Sequence, residues 1–245
     1  MLLRVSVLLL LLLVGPGVGG VSAATGDELR PNLQALPASD IQVQTTSDGR
    51  TLLLFSATSK NVGTGPLELV AKQVIGDKQE VDQRVYLQSG GYVDYPAGQF
   101  VYHPEHNHFH FEQYAYYELQ LDSAPGSSLR TGSKTTFCIL DSMRIDTRLA
   151  GAPKKAVYTT CGNQIQGMSV GWGDEYVWSL PGQSLDITGL ADGIYDLRVT
   201  VDPVNRLVET DDTDNVSQVR LQLSGGTVTV LDGRKGSGGH QGGGR

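Results

Sequence analysis

From Asp40 onward the sequence is cut into short apolar runs, and that cutting excludes most folds. The runs IQVQ, TLLLFSAT, PLELVAKQVI and QRVYLQ, and later TTFCIL, AVYTT, YDLRVTV, SQVRLQL and TVTVL, are dominated by strand-forming residues. Asp-Gly, Gly-Thr-Gly and Ser-Gly-Gly break them apart. Ile194 to Val201 alternates apolar and polar side chains, the pattern of a half-buried strand. Helical periodicity is absent apart from a short turn around Asp141 to Leu149. Many short strands with closely spaced turns predict an all-β sandwich. No linker interrupts residues 30–230, so the sequence predicts one domain over 24–230.

The two ends read differently. MLLRVSVLLLLLLVGPGVGGVSA carries Arg4, an apolar run of about ten residues and a small-x-small triplet, the form of a secretory signal peptide over residues 1–23. The run is far short of the roughly twenty residues that span a bilayer, so no stable membrane anchor is expected after cleavage. At the other end, residues 231–245 finish in GRKGSGGHQGGGR, a flexible glycine-rich tail that includes His240. The formal charge of −7 becomes −8 once Arg4 leaves with the signal. Such acidity argues against nucleic acid, whose phosphates need a basic face. Export also permits a disulfide, and Cys138 and Cys161 offer a single connectivity.

Four of the five histidines fall between positions 103 and 110, in Tyr102-His103-Pro-Glu-His106-Asn-His108-Phe-His110-Phe-Glu-Gln-Tyr. In a strand, His106, His108 and His110 share one face, with Phe109 and Phe111 on the other. Neutral imidazole is the common ligand of copper, zinc, iron and nickel. A flat strand would spread the three over about 13 Å, so a shared ion requires a bend or twist. His103, held near the turn at Pro104, is a candidate fourth ligand or acid–base group.

Beyond the histidines the chain resembles the catalytic domain of the lysyl oxidases, as a cysteine-poor bacterial relative. The H-x-H-x-H run followed by Tyr-Glu-Leu resembles that family's copper segment, and Leu52-Leu-Leu-Phe-Ser-Ala-Thr-Ser-Lys-Asn61-Val-Gly63-Thr its first long strand and turn. Gly132-Ser-Lys134-Thr-Thr-Phe-Cys138-Ile-Leu-Asp is similar to its G-H-K-x-S-F-C-x-x-D segment. Cys161-Gly-Asn-Gln-Ile-Gln166-Gly-Met-Ser-Val-Gly171-Trp-Gly-Asp174-Glu-Tyr176 follows its C-x-x-x-x-Q-G-x-S-x-G-x-x-D-x-Y pattern. The resemblance runs over about residues 31–223. It implies a secreted copper amine oxidase that turns primary amines, free or on peptidyl lysine, into aldehydes with O₂, releasing H₂O₂ and ammonia. It implies His106, His108 and His110 as copper ligands, and Lys134 and Tyr176 as precursors of a self-made lysine tyrosylquinone. Asp174, His103 and Glu112 are the candidate bases.

Glu209, Asp211, Asp212, Asp214 and Asn215 crowd into seven residues, and hard oxygen ligands at that density suit Ca²⁺. The resemblance implies calcium held by Asn32, the Leu33 carbonyl, Glu209, Asp211, Asp214 and Asn215, with Asn32 in place of the family's aspartate. The rival reading is a non-catalytic metal-binding module. The V-x-V-D-P…V-E-T-D-x-T-D-N pattern also resembles adhesion-type sandwich modules, and both readings place the site on long loops of an immunoglobulin-like core. A zinc hydrolase fits less well, because H-x-H-x-H lacks the glutamate spacing of the helical metalloprotease motif.

Overall fold

The computed structural model describes residues 26–75, 78–104 and 107–232, so the signal peptide expected over 1–23 and the tail from 233 lie outside the described residues. The chain begins with β1 (Glu28–Leu29), β2 (Leu33–Ala35), β3 (Ser39–Thr45), β4 (Thr51–Asn61), β5 (Leu67–Ile75) and β6 (Lys78–Leu87). There follow β7 (Tyr92–His103), β8 (His108–Phe111), β9 (Ala115–Leu121), β10 (Ser128–Thr131), β11 (Met143–Arg144) and β12 (Ile165–Met168). The last five are β13 (Trp172–Tyr176), β14 (Ser184–Asp186), β15 (Gly193–Val201), β16 (Val216–Ser224) and β17 (Thr227–Asp232). No helix occurs among the described residues, and the expected all-β class is borne out. Around Asp141 to Leu149 the chain forms only the short β11 and a turn in which Leu149 N–H donates to the Asp146 carbonyl.

All pairings are antiparallel and fall into three sheets. One runs β12-β5-β6-β7-β8 with β1 on β6, and another runs β10-β9-β15-β16-β17. The third is organised on β4, which pairs with β3 and β14 in its first half and with β2 and β13 in its second. Phe55 to Ser59 are all buried, so β4 is covered on both faces and can be apolar nearly throughout, as in TLLLFSAT. β16 has one solvent face and alternates strictly between buried and exposed. Gly225 and Gly226, both at positive φ, form the two-residue turn to β17, the geometry that matches strand twist in a tight hairpin.

The core lies where the β4 sheet faces the β9–β15–β16 sheet. Phe55 meets Tyr117 edge-on at 5.0 Å between ring centroids, among Leu53, Leu119, Leu185, Leu197 and Leu221. Cys138 and Cys161 are joined, as two cysteines in an exported chain would allow. No helix of the described residues is long and apolar enough to cross a membrane.

Candidate metal and cofactor site

β8 starts at His108, directly after Asn107, whose φ of +55° reverses the chain. Asparagine tolerates that left-handed backbone, and its side chain is held by the Tyr102 hydroxyl at 2.7 Å. A bend therefore stands between positions 106 and 108, and His106 itself lies outside the described residues. On the strand, His108 and His110 turn the same way, and their Nε2 atoms approach to 2.7 Å. Antiparallel pairing sets His103 of β7 opposite His108, and its ring stacks at 4.2 Å on that of buried His110. Thr136 links the pair: its hydroxyl lies 3.2 Å from His110 Nδ1 and 3.1 Å from His103 Nε2. Among the described residues, the imidazoles brought together are thus those of His103, His108 and His110. Among the described residues no group of three or more His, Cys, Asp and Glu side chains is disposed to hold a metal. Two imidazole nitrogens 2.7 Å apart, with a hydroxyl orienting one ring from behind, are of the donor type that copper, zinc, iron and nickel share.

Lys134 sits in the segment between β10 and β11, and Tyr176 ends β13, where pairing with Ala57 of β4 fixes it. The Lys134 Nζ lies 4.8 Å from the centroid of the Tyr176 ring and 5.3 Å from that of Phe137. Burial pushes the lysine pKa down, toward the neutral amine that can act as a nucleophile. The Tyr176 hydroxyl donates to the Cys138 carbonyl, and burial raises its pKa well above the ordinary phenol value. Phe137 packs edge-on against the same ring at 4.7 Å. His103, His110, Lys134 and Thr136 line one cleft of about 350 Å³, closed on one side by Pro181 and Gly182. Gly182 has φ +77°, and a Cβ there would press to 3.3 Å on the Lys134 side chain.

The three candidate bases separate. His103 faces the cleft, whereas Glu112 pairs with Lys78 at 2.9 Å. Asp174 is buried on the same strand face as Tyr176 and accepts from Ser142 Oγ at 2.8 Å and Leu140 N–H at 3.3 Å. Burial pushes its pKa up to about 7, with the neighbouring Asp141 adding to the rise. A carboxyl raised in the folded state stabilises fully at acid pH and loses that contribution as pH rises through about 7. Wild-type protein is therefore expected to be less stable at about pH 8 than at about pH 5, by more than about 1 kcal/mol, and Asp174→Asn to shrink that difference. Denaturant midpoints of both proteins at the two pH values check this; an unchanged difference in the variant would refute it.

At the far seam, Asn32 Nδ2 donates to Asp214 at 3.2 Å, and Asn215 Nδ2 to Glu209 at 2.9 Å. Leu33 N–H donates to the other oxygen of the Glu209 carboxylate, and Gln34 Nε2 donates to Asp214. Asp211 is exposed and accepts from the Thr213 N–H and hydroxyl. The Oδ1 atoms of Asn32, Asp214 and Asn215 are buried without a hydrogen-bond partner. Burial pushes the Glu209 pKa up to about 8, the mark of a carboxylate short of positive charge. Orphaned oxygens beside a desolvated carboxylate fit a hard divalent cation. Thr136, Gln34 and Phe137 were not singled out as site residues from the sequence, since each acts through a long-range contact; for Thr136 and Phe137 the signal was their place in the segment around Lys134.

A family model described as Lysyl oxidase matches residues 93–233, more than half of the chain. Human lysyl oxidase homolog 1 is 33% identical over 138 residues, 56% of this chain and 23% of that protein. Lysyl oxidase homolog 2 of Xenopus tropicalis is 30% identical over 134 residues, 54% of this chain and 16% of that protein. Rat protein-lysine 6-oxidase is 28% identical over 163 residues, 61% of this chain and 37% of that protein. The chain thus spans well under half the length of these relatives. The family match encloses the histidine run, Lys134, Tyr176 and the Glu209–Asn215 part of the acidic seam, and the chain belongs to the lysyl oxidase family.

Proposed function

We propose that the protein is a secreted, copper-dependent amine oxidase of lysyl oxidase type, acting on peptidyl lysine or small primary amines. The observation that carries this reading is the placement of the Lys134 amine over the Tyr176 ring, in a cleft shared with His103 and His110. His106, His108 and His110 would hold copper, which with O₂ as the electron acceptor would supply the oxidising chemistry that joins Lys134 to Tyr176. The resulting lysine tyrosylquinone supplies an electrophilic carbonyl for a primary amine. Overall, amine, O₂ and water become aldehyde, ammonia and H₂O₂.

The chain's own residues prepare this chemistry. Desolvation lowers the Lys134 pKa, so less free energy is needed to present a neutral amine. The Cys138 carbonyl and the Phe137 ring fix the plane and tilt of Tyr176, which orients its ring carbons toward the lysine. Asp174 and His103 are the groups positioned to hold or move a proton, and Glu112 is engaged by Lys78. Secretion is supported by the leader-like sequence and by the disulfide. The immunoglobulin-like character of the core is supported by the facing β4 and β9–β15–β16 sheets. Calcium at the Asn32–Glu209–Asp214–Asn215 seam is supported by its three orphaned oxygens.

Tryptic mapping of protein produced with copper and air tests the reading. The expected product is a single cross-linked species containing the Lys134 and Tyr176 peptides, absent from protein produced without copper. Two separate, unmodified peptides from the copper-grown protein would leave the non-catalytic metal-binding module as the function.

A further inference from the structure

The outer edge of β8 reveals how the histidine strand and the tyrosine are held relative to one another. Antiparallel pairing turns His108 and His110 toward β7 and leaves the backbone of Phe109 and Phe111 facing away from it. Those outward groups are all taken. Phe109 N–H donates to the Cys161 carbonyl at 3.2 Å, and Phe109 C=O accepts from Gln166 Nε2 at 2.9 Å. Phe111 exchanges two backbone hydrogen bonds with Phe137, at 2.7 and 3.1 Å. The same segment reaches Tyr176, since Phe137 packs on its ring and the Cys138 carbonyl accepts from its hydroxyl. Each half of the disulfide therefore offers a backbone carbonyl to one half of the site: Cys161 to the histidine strand and Cys138 to the tyrosine.

Gln166 ties the two halves together. Its side chain is fully buried, on a strand locked to β5 by the Gln166–Leu69 pairing. Besides Phe109 it donates to the Gly162 carbonyl at 3.1 Å and accepts from Ile139 N–H at 3.2 Å. Gly162 and Ile139 are the residues next to the two cysteines. One amide thus spans β8 and both sides of the disulfide, using both of its N–H groups and its oxygen.

We infer that Gln166 and the Cys138–Cys161 disulfide form a brace that sets the position of the His108–His110 strand against Tyr176. Gln166 is a positioning residue, which acts on the site through the backbone of Phe109 and through the disulfide. The brace deepens the lysyl oxidase-type reading and rests on it for its consequence: cross-linking between Lys134 and Tyr176 depends on the brace, while folding of the β9–β15–β16 sheet does not. The reason is geometric. That sheet reaches the site through Tyr117, against Phe137, and through the Asp202 N–H to Tyr114 bond, so its own ladder has no member in the brace.

The test uses the full-length protein as wild type, as Gln166→Met, which keeps the length of the side chain but removes all three hydrogen bonds, and as Gln166→Glu, which keeps the acceptor for Ile139. A fourth sample is wild type with its disulfide reduced under native conditions and both thiols alkylated, so that copper and O₂ cannot re-form it. Amide hydrogen exchange on metal-free protein is read at His108–Phe111 and, as control, at Asp196–Val201. Cross-link yield is read afterwards by peptide mass, following addition of copper and O₂. In Gln166→Met and in the reduced protein, exchange at His108–Phe111 is expected to rise about tenfold or more, with the control segment unchanged. Cross-link yield is expected to fall at least about fivefold in the same samples, with Gln166→Glu in between on both readouts. Unchanged exchange at His108–Phe111 in both Gln166→Met and reduced protein overturns the brace, as does a rise shared equally by the control segment. Should wild type itself give no cross-link, the amine oxidase reading falls while the exchange measurements still decide the brace.

Discussion

Exchange of His108 for alanine is expected to abolish H₂O₂ release from a diamine, to below about a hundredth of the wild-type rate. The reason lies in the 2.7 Å approach of the His108 and His110 Nε2 atoms, close enough that both imidazoles would reach one ion. Removing one of them leaves buried His110, steered by Thr136, without its neighbour. Copper would then be held by too few nitrogens to be retained or to drive cofactor formation. The fold is expected to survive, because the ring is half-buried and the β7–β8 ladder is made by the backbone. A peroxide-coupled assay, run beside copper analysis and a melting curve, checks all three statements. Activity and copper content both retained in the folded variant would refute the assignment of His108 as a ligand.

Calcium is expected to raise the melting temperature of chelator-treated protein by roughly 5–10 °C. Ligand at about a hundredfold excess over its Kd contributes about 2.7 kcal/mol, and a domain of this size moves roughly 2–4 °C for each kcal/mol. The structural basis is the set of buried Oδ1 atoms on Asn32, Asp214 and Asn215 beside a Glu209 carboxyl whose pKa burial raises to about 8. A divalent cation would satisfy those oxygens and supply the missing positive charge, which removes the cost of ionising Glu209. Glu209 also accepts from Leu33 N–H, so the ion would pin the start of the domain to the turn before β16. Glu209→Gln is expected to lose the calcium response while keeping an acceptor for Leu33. Calorimetry on the chelator-treated protein that shows neither heat nor a shift in melting temperature would sink this expectation.

The sequence by itself determined the strands and the chemistry they display. A period of two is local, so IYDLRVTV and SQVRLQL could be read as strands, and the burial of both faces of β4 explains why TLLLFSAT is apolar on both. The alternation of 106, 108 and 110 was likewise local, and so was the density of oxygen ligands after Leu207. Only the tertiary structure decided who meets whom. The β7–β8 register brought His103 to His110, pairing with Ala57 on β4 set Tyr176 beneath Lys134, and β12 aimed Gln166 at Phe109. Those encounters depend on strand register, which is fixed by the whole set of buried faces and not by any one segment, and a shift of one residue would turn each side chain to the opposite face. Gln34 carried no local signal for that reason, and Thr136 and Gln166, though they lie within the family-like segments, showed no role there: a polar side chain becomes part of a site only when a distant strand delivers its partner.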